Sequence, residues 1–420
     1  MNRISLAGLC FASIALVVIA TALVISEARF RIALSGTDFR GQYTGAYMVR
    51  QGLLDRLYDI ESQYRSQKEF LPELTKPDLM VYSYHPLVAV VLSPLGIFTF
   101  GNAYRVAFAI NFILLLYLIR SPTSRLFVSR VSQEIFPHIY AVFAFFLPVW
   151  FALLQNQFTY LLFVIYYHLW NFLSKNNTFR AGIILSALLV KPHYIIVPAI
   201  VFFALQEWRL IKGLLVGASV TSLIAIMIVG LTGIKQYISF LATLSAAGDE
   251  FTIHTAAEPT LKGSFHALLQ TDTLPAFALI LYGILVIALI GRLIYLRRFV
   301  KENDASYGIW FASLMLITLI TSPHTNYHDL TLVLFFPFFL IRYYSTKKNG
   351  SKIVSFPALR KATWYAMCFG MFLVTVLWLF FPPFAMVSML FMVLGADRVI
   401  RTGHLYALTR RSIPAKKVRV

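Results

Sequence analysis

An all-helical protein that crosses a membrane many times is the fold class this sequence predicts, and three observations predict it. The chain of 420 residues is 59% hydrophobic and only 13% charged, with a mean hydropathy of +0.72. It is divided into a succession of apolar runs long enough to span a hydrocarbon layer, for which about 18 or more apolar residues suffice. Its formal net charge of +19 is not spread evenly but gathers between alternate runs. A basic balance can signal nucleic acid, but in a chain of this hydropathy it signals cytoplasmic loops rich in Lys and Arg, so no nucleic-acid partner is expected.

The first run, Leu6–Ile25, sits behind Asn2-Arg3 in the manner of a secretory signal. Its apolar core is too long for one and no small-residue cleavage pattern closes it, so it reads as an uncleaved anchor. About twelve spanning helices follow from the hydropathy, near 5–25, 104–119, 136–154, 158–173, 179–190, 194–206, 211–231, 275–296, 306–321, 327–343, 362–381 and 384–397. The pieces flanking Lys191-Pro192 are short and read equally as one helix broken by the proline. Pro86–Phe100 is apolar but short, interrupted by Ser93-Pro94 and Gly96, and reads as a re-entrant or interfacial hairpin. With it uncrossed, both termini lie in the cytoplasm and about two thirds of the 37 basic residues face inward, as the positive-inside rule asks. A compensated topology, with Pro86–Phe100 crossing and 179–206 as a single helix, satisfies the rule less well.

Residues 1–400 therefore read as one polytopic membrane domain and 401–420 as a basic cytoplasmic tail. Two large outer loops are expected, about 26–103 and 232–274. The first mixes charge with Tyr43, Tyr47, Leu53, Leu54, Leu57 and Tyr58, a pattern of amphipathic helices lying on the membrane surface. The two cysteines, Cys10 and Cys368, fall inside apolar runs and offer neither a disulfide framework nor metal-ligand spacing. No internal repeat is visible.

In this topology the out-of-place polar groups share the outer side: Asp38 and Arg40, Tyr84-His85-Pro86, Gln155-Asn156-Gln157, Lys191-Pro192-His193, and Ser322 to Asp329. Ionisable groups at hydrocarbon depth are costly and are functional candidates by default. Each also has a plain alternative. Asp38 could be a solvated acid or a helix N-cap, in competition with Thr37. Arg40 could pair with Asp38, with lipid phosphate or with a substrate phosphate. Lys191 could snorkel to the headgroups or bind an anion. The Gln155-Asn156-Gln157 stretch fits a helix-to-helix turn. His324 and His328, spaced by four and followed by Asp329, could ligate a divalent metal, but without the Glu of a His-Glu-x-x-His pattern substrate hydrogen bonding is the better reading. No glycine-rich phosphate loop and no dinucleotide fingerprint is present. If the chemistry is group transfer, the donor arrives through the membrane plane.

The ordered set Asp38-Phe39 with Tyr43 beyond, Gly52, Leu57-Tyr58-Asp59, Tyr84-x-Pro86, Asn156-Gln157, Ala181-Gly182 leading to Lys191-Pro192, and Ser322-Pro323-His324 with His328-Asp329 resembles glycosyltransferase family 87, the polyprenol-phosphate-mannose-dependent mannosyltransferases. The likeness runs over roughly residues 35–345. Two positions depart from it: His85 stands where a second proline is usual, and Asn156 where a glycine commonly precedes the glutamine. The resemblance implies the membrane-embedded glycosyltransferase C fold, a sugar donor on a polyprenyl monophosphate, a glycan or glycolipid acceptor, and a place in the plasma (inner) membrane with the site on the outer, periplasmic side. It implies Asp38 as the catalytic base, with Arg40, Tyr43, Tyr84, His85, Gln157, Lys191, His193, His324, His328 and Asp329 as substrate-binding residues. No metal and no cofactor is expected. Two other readings stay open: a secondary transporter or flippase, which also uses broken helices, and a polymerase or ligase that takes a lipid diphosphate.

Overall fold

The computed structural model describes residues 12–19, 37–120, 143, 146–246, 257–271, 273–301, 305–346 and 383–412. Among them helices are the only regular elements. Of the expected spans, 362–381 lies outside the described residues, 5–25 is represented by the helical stretch 12–19, and 136–154 is described chiefly from Phe146 onward. Four described helices are long and apolar enough to cross a membrane: Phe100–Ile119, Trp208–Leu244, Ala276–Arg297 and Pro383–Arg401. A bent pair, Leu147–Leu154 and Thr159–Leu173, makes a fifth if counted as one span. This is a helical membrane protein.

The core is organised around the helix Ala305–Thr321 (α1). Every residue from Ser306 to Thr321 is buried, so its apolar character runs all round, as befits a helix with neighbours on every side. The chain enters it from Ala276–Arg297 (α2), whose outward face instead exposes Phe277, Leu279, Ile280, Ile284 and Ile287. Such a row of large apolar side chains is what a lipid-facing helix presents. At the far end of α2, Arg292 and Arg401 both bond the Asp397 carboxylate, at 2.6 and 2.7 Å, tying α2 to the last helix.

Helix Thr178–Ser186 (α3) and helix Trp208–Ala246 (α4) approach most closely, and glycine permits it. A Cβ on Gly182 would stand 2.0 Å from the Leu210 carbonyl oxygen, and one on Gly213 would stand 2.1 Å from that of Phe179. Gly213 and Gly217 form the small-xxx-small stripe by which membrane helices bring their backbones together. This contact fixes the direction in which α3 delivers the chain to Lys191. After α3 comes a 3₁₀ turn, Ala187–Val190, then the break at Lys191-Pro192 and helix His193–Ala204 (α5). The proline break expected at this point is present.

Two expectations are revised. The run 211–231 is helical up to a kink at Gly230 (φ 69°), but where an outer loop was expected to begin a second helical segment follows, so that α4 runs on to Ala246. Beyond the bend, Tyr237 and Phe240 pack on Tyr58, with ring centroids 4.9 and 5.8 Å apart. The segment expected as the first outer loop is helical, but its leading helix, Phe39–Arg50 (α6), is buried over most of its length and not laid on a surface. Gly41 and Gly45 let it press against the strand-like stretch Met80–Tyr82. The segment Pro86–Ile97 is a seven-residue α-helix followed by a 3₁₀ turn, too short to cross a bilayer alone.

Gly182→Val should lower the thermal stability of the solubilised protein by the equivalent of about 1–3 kcal/mol, the cost of overpacking a close helix contact. Gly283→Ala, on the open face of α2 where nothing lies within 4 Å of the added carbon, should leave the melting temperature unchanged or slightly raised. Equal losses in the two variants would remove the packing argument.

Candidate active site

The site is assembled by a turn. Helix Leu147–Leu154 (α7) ends in a Schellman motif: Gln157 N donates to the Ala152 carbonyl and Asn156 N to that of Leu153, both at 3.1 Å. The motif demands a left-handed residue at its hinge, and Asn156 supplies it with φ 51°. Asparagine and glycine are the residues that adopt this conformation at least cost. That explains why asparagine can stand where the resembling family has glycine. The Asn156 side chain is also fixed, donating to Tyr104 O at 3.1 Å and accepting from Asn111 at 3.2 Å. Gln42, on α6, donates to the Asn156 carbonyl at 3.1 Å. Helix Thr159–Leu173 (α8) then leaves at a 120° bend.

The two glutamines flanking Asn156 hold Asp38. Gln155 Oε1 accepts the Asp38 amide at 2.9 Å, and Gln157 Nε2 donates to Asp38 Oδ2 at 2.6 Å. Tyr84 in turn donates its hydroxyl to Gln157 Oε1 at 3.3 Å, which fixes the amide orientation. Asp38 occupies the N-cap position of α6, yet its side chain makes no capping hydrogen bond. The plain alternative of a helix cap therefore does not describe it. Its side chain is 23% exposed, and on the inner side His328 Nδ1 stands 3.6 Å from Oδ2.

Behind His328 lies a buried ion pair. Lys191 Nζ contacts the two Asp329 oxygens at 2.9 and 3.2 Å and His328 Nε2 at 3.4 Å. The ammonium points into the protein, not toward headgroups, so Lys191 does not snorkel. Asp329 also accepts from Thr159 Oγ1 at 3.2 Å and from Asn326 N at 3.3 Å. The last bond is half of a capping box that opens the 3₁₀ segment Tyr327–Leu334, where a span beginning at 327 was expected. Asp38, His328, Asp329 and Lys191 thus form one continuous polar chain drawn from three separate parts of the sequence.

The remaining expected residues fall into two groups. His324 joins the chain's edge, with Nδ1 against Glu258 Oε1 and its ring centroid 6.1 Å from that of His193. His193 Nε2 is buried with no hydrogen-bond partner among the described residues. Arg40 is buried on α6, donating to the Asp78 carbonyl, while Nε and Nη1 have no partner among the described residues. Burial draws its guanidinium pKa down to about 10, against the pull of Asp78 and Asp38. Tyr43 and His85 are not brought to Asp38. The Tyr43 hydroxyl donates to Phe98 O at 2.8 Å within a cluster of Phe39, Phe70 and Phe100. His85 caps the helix at Pro86 and rests edge-on against Tyr237; burial pushes its imidazole pKa down. Sequence reasoning missed Glu258 and Thr159 altogether, and saw Gln155 only as part of a turn. Among the described residues no group of three or more His, Cys, Asp or Glu is placed to hold a metal ion.

Asn156→Gly should keep the fold at a cost of about 1 kcal/mol for the lost side-chain hydrogen bonds. Asn156→Val should cost distinctly more and release Asp38, because a β-branched residue is a genuine outlier at positive φ. Thermal unfolding of both variants gives the ranking; a valine variant as stable as the glycine one would contradict it.

The model of glycosyltransferase family 87 matches residues 82–323, more than half the chain. No curated protein and no solved structure matches. The matched stretch contains Tyr84, Gln157, Lys191, His193 and Glu258. Asp38, His324, His328 and Asp329 lie outside it and are joined to it by the bonds described above, while Arg40 lies outside it and bonds Asp78, also outside. On this match, over a helical membrane protein whose polar groups converge on one cluster, the chain belongs to glycosyltransferase family 87.

Proposed function

We propose that this membrane glycosyltransferase moves a hexosyl group, mannosyl by resemblance, from a polyprenyl monophosphate to a hydroxyl of a glycan or glycolipid acceptor, at the outer face of the plasma membrane. The observation that carries the reading is Asp38: a half-buried carboxylate at a helix N-terminus that does not cap the helix and is aimed instead by Gln157. A carboxylate so held is a ready proton acceptor. The acceptor oxygen attacks the anomeric carbon with its lone pair, the bond from that carbon to the phosphate oxygen breaks, and its electron pair leaves with the polyprenyl phosphate. Asp38 takes the hydroxyl proton, and His328, 3.6 Å behind it, is placed to steady the carboxylate through the change. A single displacement predicts inversion at the anomeric carbon, in contrast to the paired carboxylates of retaining glycosidases.

Phosphate leaves readily when its charge is stabilised, so the reading asks for cations more than for a general acid. Arg40, Lys191, His193 and His324 are the candidates, and the reading needs no metal or cofactor. Support for the outer placement comes from the gathering of Asp38, Gln155, Gln157, Lys191, His328 and Asp329, all expected outside, while Arg292, Asp397 and Arg401, expected inside, meet elsewhere. Membership of a glycosyltransferase family favours transfer over transport.

Asp38→Asn should reduce transfer from a labelled polyprenyl-monophosphate sugar by about 10²–10⁴-fold while the protein still purifies and melts as the wild type does. Full activity in that variant would sink the assignment. Gln157→Leu should lower kcat with little change in donor KM, since it disturbs the aim of the base and not the donor.

A further inference from the structure

His324 is one of the candidate cations for the leaving phosphate, but its partner Glu258 has no part in the transfer step above. Glu258 comes from the second outer loop, just ahead of helix Leu261–Leu269, and meets a histidine 66 residues further along the chain. The acid side chain is 3% exposed and the imidazole 40% exposed, so the carboxylate sits behind the ring and the ring faces out. Glu258 Oε2 is buried with no hydrogen-bond partner among the described residues.

The neighbouring capping box fixes the protons. The Asn326 side-chain oxygen is committed to the backbone N–H of Asp329, so its Nδ2 is the atom that faces His324 Nε2, at 3.4 Å. A neutral His324 therefore carries its proton on Nδ1, donates it to Glu258, and presents the Nε2 lone pair at the open side. Burial alone would push the His324 pKa down; the Glu258 carboxylate, by charge and by hydrogen bond, outweighs it and raises the pKa from its ordinary value.

The charge inventory gives this a purpose. Asp38, Asp329 and Glu258 bring three carboxylates to the cluster, against the ammonium of Lys191, already committed to Asp329, and a buried Arg40 bonded to a carbonyl. A phosphate entering this cluster needs a further positive charge. His324 is faced by Glu258, Lys191, Asp329 and His193, and of these five groups it is the open one that can gain a proton at neutral pH. Once Nε2 is protonated, it and the Asn326 amide are both donors pointing at one spot. A phosphate oxygen there accepts from both.

We propose that Glu258 is a positioning residue that makes His324 a proton-dependent receptor for the donor's phosphate, so that binding of the lipid phosphate is accompanied by uptake of one proton from water at His324 Nε2. The inference rests on the reading of a lipid-monophosphate donor. Its sign is definite: His324 is charged below its raised pKa, so affinity is high at low pH and falls as pH rises through that value.

The test uses the full-length protein in detergent and a prenyl methyl phosphate as probe. A diester keeps a single negative charge across the range, whereas a phosphate monoester titrates near pH 6 and would confuse the result. Calorimetric titration in two buffers of different ionisation enthalpy counts the protons taken up on binding, with no variant required. Uptake of up to one proton is expected, with affinity falling about tenfold per pH unit above the inflection. Glu258→Gln should move the inflection to lower pH by about one unit or more, and His324→Gln should flatten the profile. Binding with no proton uptake, or an inflection unmoved in Glu258→Gln, would overturn the inference while leaving the monophosphate donor intact. Failure of the probe to bind at any pH, where a prenyl diphosphate binds, would overturn both.

Discussion

The buried contact between Lys191 and Asp329 is the constraint on which the rest of this site depends. Two charges removed from water gain little net stability from each other, but losing either one strands the other at a cost of about 3–5 kcal/mol. The consequence is positional. Asp329 can be satisfied only where the chain break after Val190, the start of α8 at Thr159 and the capping box at Asn326 coincide. His328, next in line, is thereby held between Asp329 and Asp38 with its ring 1% exposed. A proline and an aspartate that look unrelated in the chain thus set where His328 meets Asp38.

The family match and the geometry carry different halves of the argument. The match begins at Tyr82, so it says nothing directly of Asp38. Gln157 lies within the match and bonds Asp38 at 2.6 Å; Lys191 lies within it and bonds Asp329. The polar cluster therefore joins helix α6 and the segment after α1 to the matched stretch, with amide hydrogen bonds and the Lys191–Asp329 ion pair as the joints.

What could be read in advance was whatever left a mark on hydropathy or on charge. The membrane class, the break at Lys191-Pro192 and the oddity of Asp38 all did. Glu258 left none: one acid in a polar loop is unremarkable until folding sets it behind His324. Tyr43 and His85, which the resemblance implies as substrate-binding, sit in an aromatic nest and at a helix N-cap, placements that no local pattern announces. The full length of α4 was hidden for a similar reason. Its apolar run fades near Gly230, and the continuation to Ala246 is held by Tyr237 and Phe240 against Tyr58, a tertiary contact that no local pattern announces.

That bend at Gly230 has a bearing on the lipid environment. From Trp208 to Val229 the helix rises about 33 Å at 1.5 Å per residue, close to the roughly 30 Å hydrocarbon core of an ordinary bilayer. An unbent helix of 39 residues would overshoot any such layer, forcing tilt or local thickening. By turning at a residue with no side chain, the helix breaks after about the length of one bilayer crossing. The remaining turns lean on the aromatic platform of the first outer loop. Hydrophobic thickness is thereby set independently of helix length, and a bilayer a few ångströms thicker or thinner would act on the platform, and through Tyr82 and Tyr84 on Gln157, before it acted on the packed core.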